Sequence, residues 1–483
     1  MNIPGNNAAV KNAQLKYIAS ITPVVLLLLL VLAVVFYRER MLYIDAPHIL
    51  FRIINDGRLW TEEYRYGAVI SQVLPFAGSK LHLSLRSLMI LYSADFYAFY
   101  LIVSLLLVYV YRNYGLAILL GLYFTLFVSD TFYWANNEVH PGIVWLMLAF
   151  AINFSFTARN RQPVVSILLF IATFALAIWT HPLVMLAAVY LWFFFMTDKA
   201  LWPYGKIQSV TFSIFLLLLS YVKFYQGLHH GYDNSKLEVL SNFPIQKIKG
   251  ILASPQLHFF LRSCIHQYKF FLLVFIAGLT GALVAKKYVA FIWTLLFAAG
   301  YLVLTCITFW DVDSRSYMES EYMPLVIICC TTFVYYALPK IKPKFGAALM
   351  IAIYAVRLTC IYFAAFPFTA RVVVMENILQ KMKAAHLAKI IICEPVAYLD
   401  SALITNWAAP VESIFISKLN GDDPQRTFIF LNKGEIAAAD TIKTNTFLGA
   451  FEKRSVSHVN SYYFQLDTTS VYKIINSAYL NTP

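Results

Sequence analysis

The stretch "YIASITPVVLLLLLVLAVVFY", residues 17–37, decides the fold class. At about 1.5 Å of rise per residue, a helix of this length crosses a bilayer. Lys11 and Lys16 precede the run and the charged "YRER" closes it, with no small-x-small cleavage site after it. We therefore expect a retained signal-anchor helix and not a cleaved signal peptide.

The composition agrees with a membrane protein. Of the 483 residues, 60% are hydrophobic and 13% are charged, whereas soluble chains carry about 25% charged residues. The 17% of aromatic residues suggests interfacial belts of Tyr and Trp. The net charge of +13 comes without a compact Lys/Arg block, so we expect the lipid bilayer as a partner and no nucleic acid.

The six cysteines form no metal-binding or redox motif. None shows C-x-x-C spacing, and several fall in apolar runs. We interpret them as small packing residues. They are Cys264, Cys306, Cys329, Cys330, Cys360 and Cys393.

Apolar runs recur along the chain and predict about eleven transmembrane helices. Several runs are short, which fits a bundle with aqueous cavities or thinned lipid. The runs lie near 17–37, 90–111, 115–128, 142–157, 164–179, 183–196, 208–224, 269–285, 289–309, 322–338 and 345–365.

Lys and Arg in short loops predict the orientation, because they favour the cytoplasmic side. With a cytoplasmic N-terminus, twelve of them lie inside and the short outer loops hold only Arg315. We expect a multi-pass protein of the inner (cytoplasmic) membrane, with its C-terminal domain periplasmic. The twelve are Lys11, Lys16, Arg112, Arg159, Arg161, Lys199, Lys206, Lys286, Lys287, Lys340, Lys342 and Lys344.

The chain changes character near residue 369. The runs "KIIIC" (389–393), "SIFIS" (413–417) and "TFIFL" (427–431) are typical of strands, and "MENILQKMKAAHLAK" before them is typical of a helix. We predict a transmembrane domain over 1–368 and a small extracytoplasmic α/β domain over 369–483.

A polar stretch, "MLYIDAPHILFRIINDGRLW" (41–60), begins where the first helix leaves the bilayer. Asp45 stands before Ala46-Pro47, so it fits a helix N-cap, a functional carboxylate, or both. The apolar residues that follow suit a helix lying in the interface. Ionisable groups at membrane depth are costly and commonly line a functional cavity.

More polar residues fall on the same predicted side. Glu138 and His140 in "SDTFYWANNEVHPG" are two residues apart and do not share a helix face, and a solvated loop is the alternative. His181 in "WTHPL" fits a helix-breaking turn as well as a site. Arg315 lies in an acidic loop, where it either balances charge or binds an anion.

With these loops in place, residues 17–365 resemble the GT-C superfamily, polytopic glycosyltransferases that use sugars carried on polyprenyl phosphate or pyrophosphate. "DAPHILFRIINDGRL" is similar to the family's first outer loop, which has interfacial helices. The resemblance assigns Asp45 as the catalytic residue, with Phe51-Arg52 and Gly57 in the family's aromatic-Arg and glycine places.

Other segments are also similar to this family. Glu138 matches its second acidic loop, "THP" at His181 matches a short turn, and "RSYMESEYMPL" matches the late loop near the lipid phosphate. The resemblance implies that Asp45 takes a proton from the attacking acceptor hydroxyl, with inversion. The residues expected to bind the donor phosphate or sugar are Arg52, Glu138, His140, Lys269, Arg315 and Tyr322, with His48 and His181 as further candidates.

One departure from the family concerns metal. Many members carry two adjacent acids, but Ile44 and Ala46 flank Asp45. A single carboxylate is a poor site for a hard cation, so we expect no required metal or cofactor, although a divalent metal is compatible.

The expected function is transfer of a sugar from a polyprenyl-phosphate donor to a hydroxyl of a glycan, lipid or protein. A transporter or flippase is the alternative, and it predicts polar residues at the midplane and broken helices in paired repeats. We find few central charges and no internal repeat in the sequence, which favours the enzyme.

Overall fold

The structure is a computed structural model, and it describes residues 14–61, 63–159, 163–229, 234, 238, 250–310, 315–393, 403–431, 443–449 and 451–476. This part of the chain is mainly helical and carries a small C-terminal α/β unit. The predicted fold class is confirmed at that level.

Each of the eleven predicted apolar runs contains a helix. The helices up to residue 384 are α1 (Gln14–Val35), α2 (Tyr37–Met41), α3 (Asp45–Asp56), α4 (Val73–Lys80), α5 (Leu85–Leu105), α6 (Tyr114–Tyr123), α7 (Val139–Arg159), α8 (Pro163–Ile178), α9 (Pro182–Met196), α10 (Lys206–His229), α11 (Pro255–His266), α12 (Lys269–Val284), α13 (Tyr288–Thr308), α14 (Arg315–Thr332), α15 (Pro343–Phe363) and α16 (Ala365–Ala384).

The number of spans is smaller than predicted. Within the described residues, 6 helices are long and apolar enough to cross a membrane, or 7 if α11 and α12, bent by 90° at their junction, count as one span. Eleven spans are therefore not confirmed, because α6, α8, α9 and the apolar part of α7, Val139–Ser155, are only short apolar helices. The 6 are Gln14–Val35, Leu85–Val110, Lys206–His229, Tyr288–Thr308, Arg315–Lys340 and Pro343–Ala384.

Helix α14 lies at the centre of the bundle. Sixteen of its 18 residues are buried, compared with 4 of the 24 residues of α10. Helix α12 packs closely against the continuation of α14, because a Cβ at Gly281 would lie 2.7 Å from the Ala337 Cβ. Small residues allow such backbone approach between membrane helices.

The C-terminal unit contains a parallel sheet with strand order β2-β1-β5 and an antiparallel pair, β3-β4. "KIIIC" and "TFIFL" are strands as predicted, and "MENILQKMKAAHLAK" is largely helical within α16. The strands are β1 (Lys389–Cys393), β2 (Thr427–Leu431), β3 (Thr446–Leu448), β4 (Lys453–Ser455) and β5 (Lys473–Asn476).

The prediction of a strand at "SIFIS" is wrong. These residues belong to helix α17 (Ala409–Leu419), which has Pro410 in its first turn. The Ser413 hydroxyl donates to the Pro410 carbonyl and accepts a hydrogen bond from the Phe428 backbone N–H. A five-residue alternation is too short to separate a buried helix from a strand.

Helix α3 differs from the expected interfacial helix, since it is largely buried within the protein. Its Phe51 ring contacts Phe447 and Phe464 of the C-terminal unit, with centroid distances of 5.5 and 5.7 Å. The predicted domain boundary at 368/369 falls inside α16, which joins the membrane part to β1.

Candidate functional site

The chain passes from α2 to α3 through a strained turn at residues 42–44. Ile44 has φ 49° and ψ −112°, close to the first central position of a type II′ turn, which favours glycine. A β-branched residue in such a conformation costs about 1–3 kcal/mol. Asp45 is the first residue of α3 and Ile44 occupies the N-cap position, so the prediction that Asp45 is the N-cap residue is wrong.

The Asp45 carboxylate is held by an indole. Trp134 Nε1 donates to Asp45 Oδ2 at 2.7 Å, and the Trp134 ring packs edge-on against Tyr317 with centroids 4.9 Å apart. Asp45 stays partly exposed. The first residue of α3 is thus tied to the loop before α7 and to the first turn of α14.

An ion pair joins the two segments that support this carboxylate, since Asp130 precedes Trp134 in the loop before α7 and Arg315 precedes Tyr317 in α14. Arg315 Nε donates to Asp130 Oδ2 at 2.7 Å, and Arg315 Nη2 donates to Asp130 Oδ1 at 2.5 Å. The Arg315 side chain remains 35% exposed. Burial and the negative charge of Glu319 raise the pKa of Asp130 to about 6, against the opposing effect of Arg315.

Glu319, one helical turn after Arg315, holds the loop of residues 129–131. Its fully buried carboxylate accepts backbone hydrogen bonds from Ser129 (2.9 Å), Asp130 (3.1 Å) and Thr131 (2.7 Å). The hydroxyls of Thr131 and Tyr268 also donate to it. A buried carboxylate requires this degree of hydrogen bonding, and Glu319 thereby fixes the position of Asp130.

Two more contacts join α14 to the same surroundings. The Tyr43 and Ser316 hydroxyls are 3.1 Å apart, and Asn137 Nδ2 donates to the Ser320 hydroxyl at 2.8 Å. The turn before α3, the loop before α7 and the start of α14 therefore form one polar cluster, which we call the Asp45 cluster. Its members are Tyr43, Asp45, Asp130, Trp134, Arg315, Tyr317 and Glu319.

The Asp45 cluster offers a partly exposed carboxylate and a partly exposed guanidinium at the end of an apolar bundle. A carboxylate in such a setting accepts a proton, and a guanidinium binds a phosphate through its two parallel N–H groups. No family model, no curated protein and no solved structure matches this chain. The similarity to GT-C enzymes thus remains a prediction from sequence.

Glu138 and His140 occupy different environments. Glu138 Oε2 accepts a hydrogen bond from Arg65 Nη1 at 2.8 Å, an ion pair between the first loop and the loop before α7. His140 is buried, and its Nδ1 lies 3.1 Å from the Tyr123 hydroxyl. Glu138 therefore borders the cluster through its loop, while His140, in the first turn of α7, packs against Tyr123 of α6.

Arg52 and His48 face the C-terminal unit. Arg52 Nη1 lies 3.1 Å from Glu452 Oε2, and its guanidinium stacks over the Trp60 ring at 4.7 Å. The His48 ring lies between Trp407 and Phe451, at centroid distances of 5.9 and 5.8 Å. Both residues lie on the face of α3 that docks the C-terminal unit.

The remaining candidates lie in three separate places. Lys269 is exposed at the start of α12. Tyr322 is buried on α14 and packs against Phe260 with centroids 4.3 Å apart. His181 is the N-cap of α9, and its Nδ1 accepts the Leu183 backbone N–H at 3.2 Å. The alternative of a helix-breaking turn with a satisfied histidine describes His181 correctly.

Among the residues that the structure describes, no group of three or more His, Cys, Asp or Glu side chains is arranged to hold a metal ion. The expectation that no metal is required stays a prediction.

Sequence reasoning missed five members of the Asp45 cluster as site residues: Tyr43, Asp130, Trp134, Tyr317 and Glu319. Asp130 and Trp134 lie in the quoted polar loop, and Glu319 is four residues after Arg315. These residues therefore belong to polar segments that the sequence already identifies. Their spacing along the chain carries no signal that they meet, because the contacts join positions 89 to 273 residues apart.

Proposed function

We propose that this protein is a membrane glycosyltransferase that moves a sugar from a polyprenyl-phosphate donor to a hydroxyl of a glycan, lipid or protein. The observation that carries the proposal is the Asp45 carboxylate, held by Trp134 at 2.7 Å within one cluster that also contains Arg315. A base and a phosphate-binding cation at the end of an apolar bundle suit a lipid-linked donor and the hydroxyl of an acceptor.

In the proposed reaction, the acceptor oxygen attacks the anomeric carbon of the donor sugar. The bond between that carbon and the phosphate oxygen breaks, and Asp45 takes the acceptor's proton. General base catalysis of this kind contributes roughly 10²–10⁴-fold in rate. Arg315 stabilises the negative charge on the departing polyprenyl phosphate, and direct displacement inverts the anomeric configuration.

The phosphate would compete with Asp130 for Arg315. The Arg315 fork is directed at the Asp130 carboxylate, yet the side chain is 35% exposed and accessible to a second anion. Because the pKa of Asp130 is raised to about 6, its carboxylate is a weaker competitor than an ordinary aspartate in mildly acidic conditions.

The membrane arrangement belongs to the same proposal. The apolar helices place the protein in a bilayer, and the excess of Lys and Arg in one set of loops supports a cytoplasmic N-terminus and an extracytoplasmic C-terminal unit. We propose that the short helices α6 to α9 also cross thinned lipid, which gives eleven crossings in total.

A transporter of a lipid-linked or polar substrate is the second candidate. It is favoured by the 90° bend between α11 and α12 and by Lys223, buried on the candidate span α10. Broken helices and buried charges are typical of transport pathways. Substrate uptake by proteoliposomes without chemical turnover would support this candidate.

The experiment that tests the enzyme is native mass spectrometry of the purified protein with polyprenyl phosphate, followed by transfer from a polyprenyl-phosphoryl hexose to an alkyl glycoside. We expect a specific lipid adduct and a glycosylated product. The proposal would be contradicted if no lipid adduct formed and no product appeared with donors that carry either hexose or pentose.

A further inference from the structure

A buried ion pair lies against the turn that carries Asp45. Arg371 of α16 and Glu412 of α17 are 2.5 Å apart, and their side chains are 1% and 0% exposed. Removing two charges from water is costly, so a buried pair depends on further hydrogen bonds to both partners.

Those further hydrogen bonds go to the turn on one side and to the C-terminal unit on the other. Glu412 Oε1 accepts the Ile44 backbone N–H at 3.1 Å, and Arg371 Nη1 donates to the Leu42 carbonyl. Arg371 also donates to the carbonyls of Leu403 (2.8 Å) and Thr405 (3.2 Å). The Arg371–Glu412 pair thus hydrogen-bonds to both peptide groups that flank Tyr43.

The backbone conformation of Ile44 in this turn is one that isoleucine rarely adopts. Strained backbone persists only where the surroundings over-determine it, and the bond to Glu412 acts at Ile44 itself, the residue with φ 49°. Tyr43 is held from the other direction, by the Ser316 hydroxyl at 3.1 Å and by an edge-on contact with Phe368 at 5.0 Å.

We propose that Arg371 and Glu412 are positioning residues, through which the C-terminal unit holds residues 42–44 in the strained turn that directs Asp45 at Trp134. This inference rests on the proposed function where it takes Asp45 as the base. The hydrogen bonds from Arg371 and Glu412 to the turn do not depend on which reaction the protein catalyses. The C-terminal unit then sets the geometry of the catalytic residue as well as docking on α3.

The first test measures hydrogen exchange of the peptide that contains Ile44, in Glu412→Gln and in the matched control Glu452→Gln. Both changes neutralise a glutamate that contacts an arginine at the docking interface, but Glu452 contacts Arg52 and not the turn. We expect exchange to rise about tenfold in Glu412→Gln, the equivalent of one charge-assisted hydrogen bond, and to stay unchanged in Glu452→Gln. Equal exchange in the two variants would overturn the proposal.

Transfer kinetics provide the second readout. A small displacement of a reacting group costs about 10²-fold in rate, so we expect kcat to fall by that order in Glu412→Gln with the KM for the polyprenyl-phosphoryl hexose unchanged. A rise in KM at constant kcat would contradict a positioning role.

A second pair of variants remains informative if Glu412→Gln fails to fold. Ile44→Gly and Ile44→Ala both remove a buried side chain, but only glycine relieves the strain at φ 49°. We expect Ile44→Gly to have the higher Tm. A lower Tm for Ile44→Gly, the usual order for the two residues, would overturn the proposal.

These readouts separate the two proposals. If the wild-type protein shows no transfer while exchange still distinguishes Glu412→Gln from Glu452→Gln, the enzyme proposal fails and the role of Arg371 and Glu412 in holding the turn stands. If transfer occurs and both variants behave alike in exchange and kcat, the enzyme proposal stands and the positioning role fails.

Discussion

Trp134 donates its indole hydrogen to the Asp45 carboxylate across 2.7 Å, which ties the loop before α7 to the first residue of α3. The two residues are 89 positions apart in the chain. Tyr317 supports the indole from α14 at a centroid distance of 4.9 Å. The orientation of the proposed base therefore depends on three separate segments.

Asp45→Asn tests the base directly. Asparagine keeps an oxygen that accepts the Trp134 hydrogen bond but takes no proton, so we expect transfer to fall roughly 10²–10⁴-fold while the lipid adduct and the Tm are retained. Transfer from a polyprenyl-phosphoryl hexose is the measurement. Trp134→Phe, which keeps the ring and removes the donor, should lower kcat less than Asp45→Asn does. Turnover near wild-type in Asp45→Asn would assign the base elsewhere.

Arg315→Lys tests phosphate binding. Lysine keeps the charge and loses the two parallel N–H groups, so we expect polyprenyl phosphate to bind about tenfold more weakly. Titration by native mass spectrometry gives the affinity. Arg52→Lys is the matched control, because Arg52 pairs with Glu452 at the docking interface. If Arg52→Lys weakened binding and Arg315→Lys did not, Arg52 would be the phosphate ligand.

Stability should depend on the protonation of Asp130. Its pKa in the folded protein is raised to about 6 by burial and by Glu319, above the value of about 3.9 in an unfolded chain. The folded state therefore binds the proton more tightly, and stability falls as pH rises from about 4 to about 6, by up to about 3 kcal/mol. Thermal unfolding between pH 4 and pH 8, compared with Asp130→Asn, should show this fall only in the wild type. A parallel profile in both proteins would contradict the assignment.

The interface between α3 and the C-terminal unit should depend on aromatic burial more than on charge. Phe51 is 2% exposed, so Phe51→Ala should cost about 3–5 kcal/mol. Glu452→Gln removes a partly exposed ion pair, which contributes about 0–1 kcal/mol. Chemical unfolding in detergent gives both values. A larger loss for Glu452→Gln than for Phe51→Ala would reverse this ranking.

The charges in the stretch after the first helix have two different partners. The sequence suggested that Asp45, His48 and Arg52 all serve the lipid-linked substrate. In the structure only Asp45 lies in the cluster with Arg315, whereas His48 and Arg52 contact the C-terminal unit. Positions 45, 48 and 52 share one face of a helix, but this face meets different surroundings at its two ends.

The sequence alone determined the membrane class, the positions of the apolar helices, strands β1 and β2, and the polar loops that supply the cluster. These follow from hydrophobic runs and local patterns, which depend on near neighbours in the chain. Tertiary structure decided the number of helices long enough to span, the helical state of α17, the strained turn at Ile44 and the pairs Trp134–Asp45, Arg315–Asp130 and Arg371–Glu412. Each of these pairs joins side chains far apart in sequence, and their geometry is set by how the helices and the C-terminal unit pack, which no local pattern encodes.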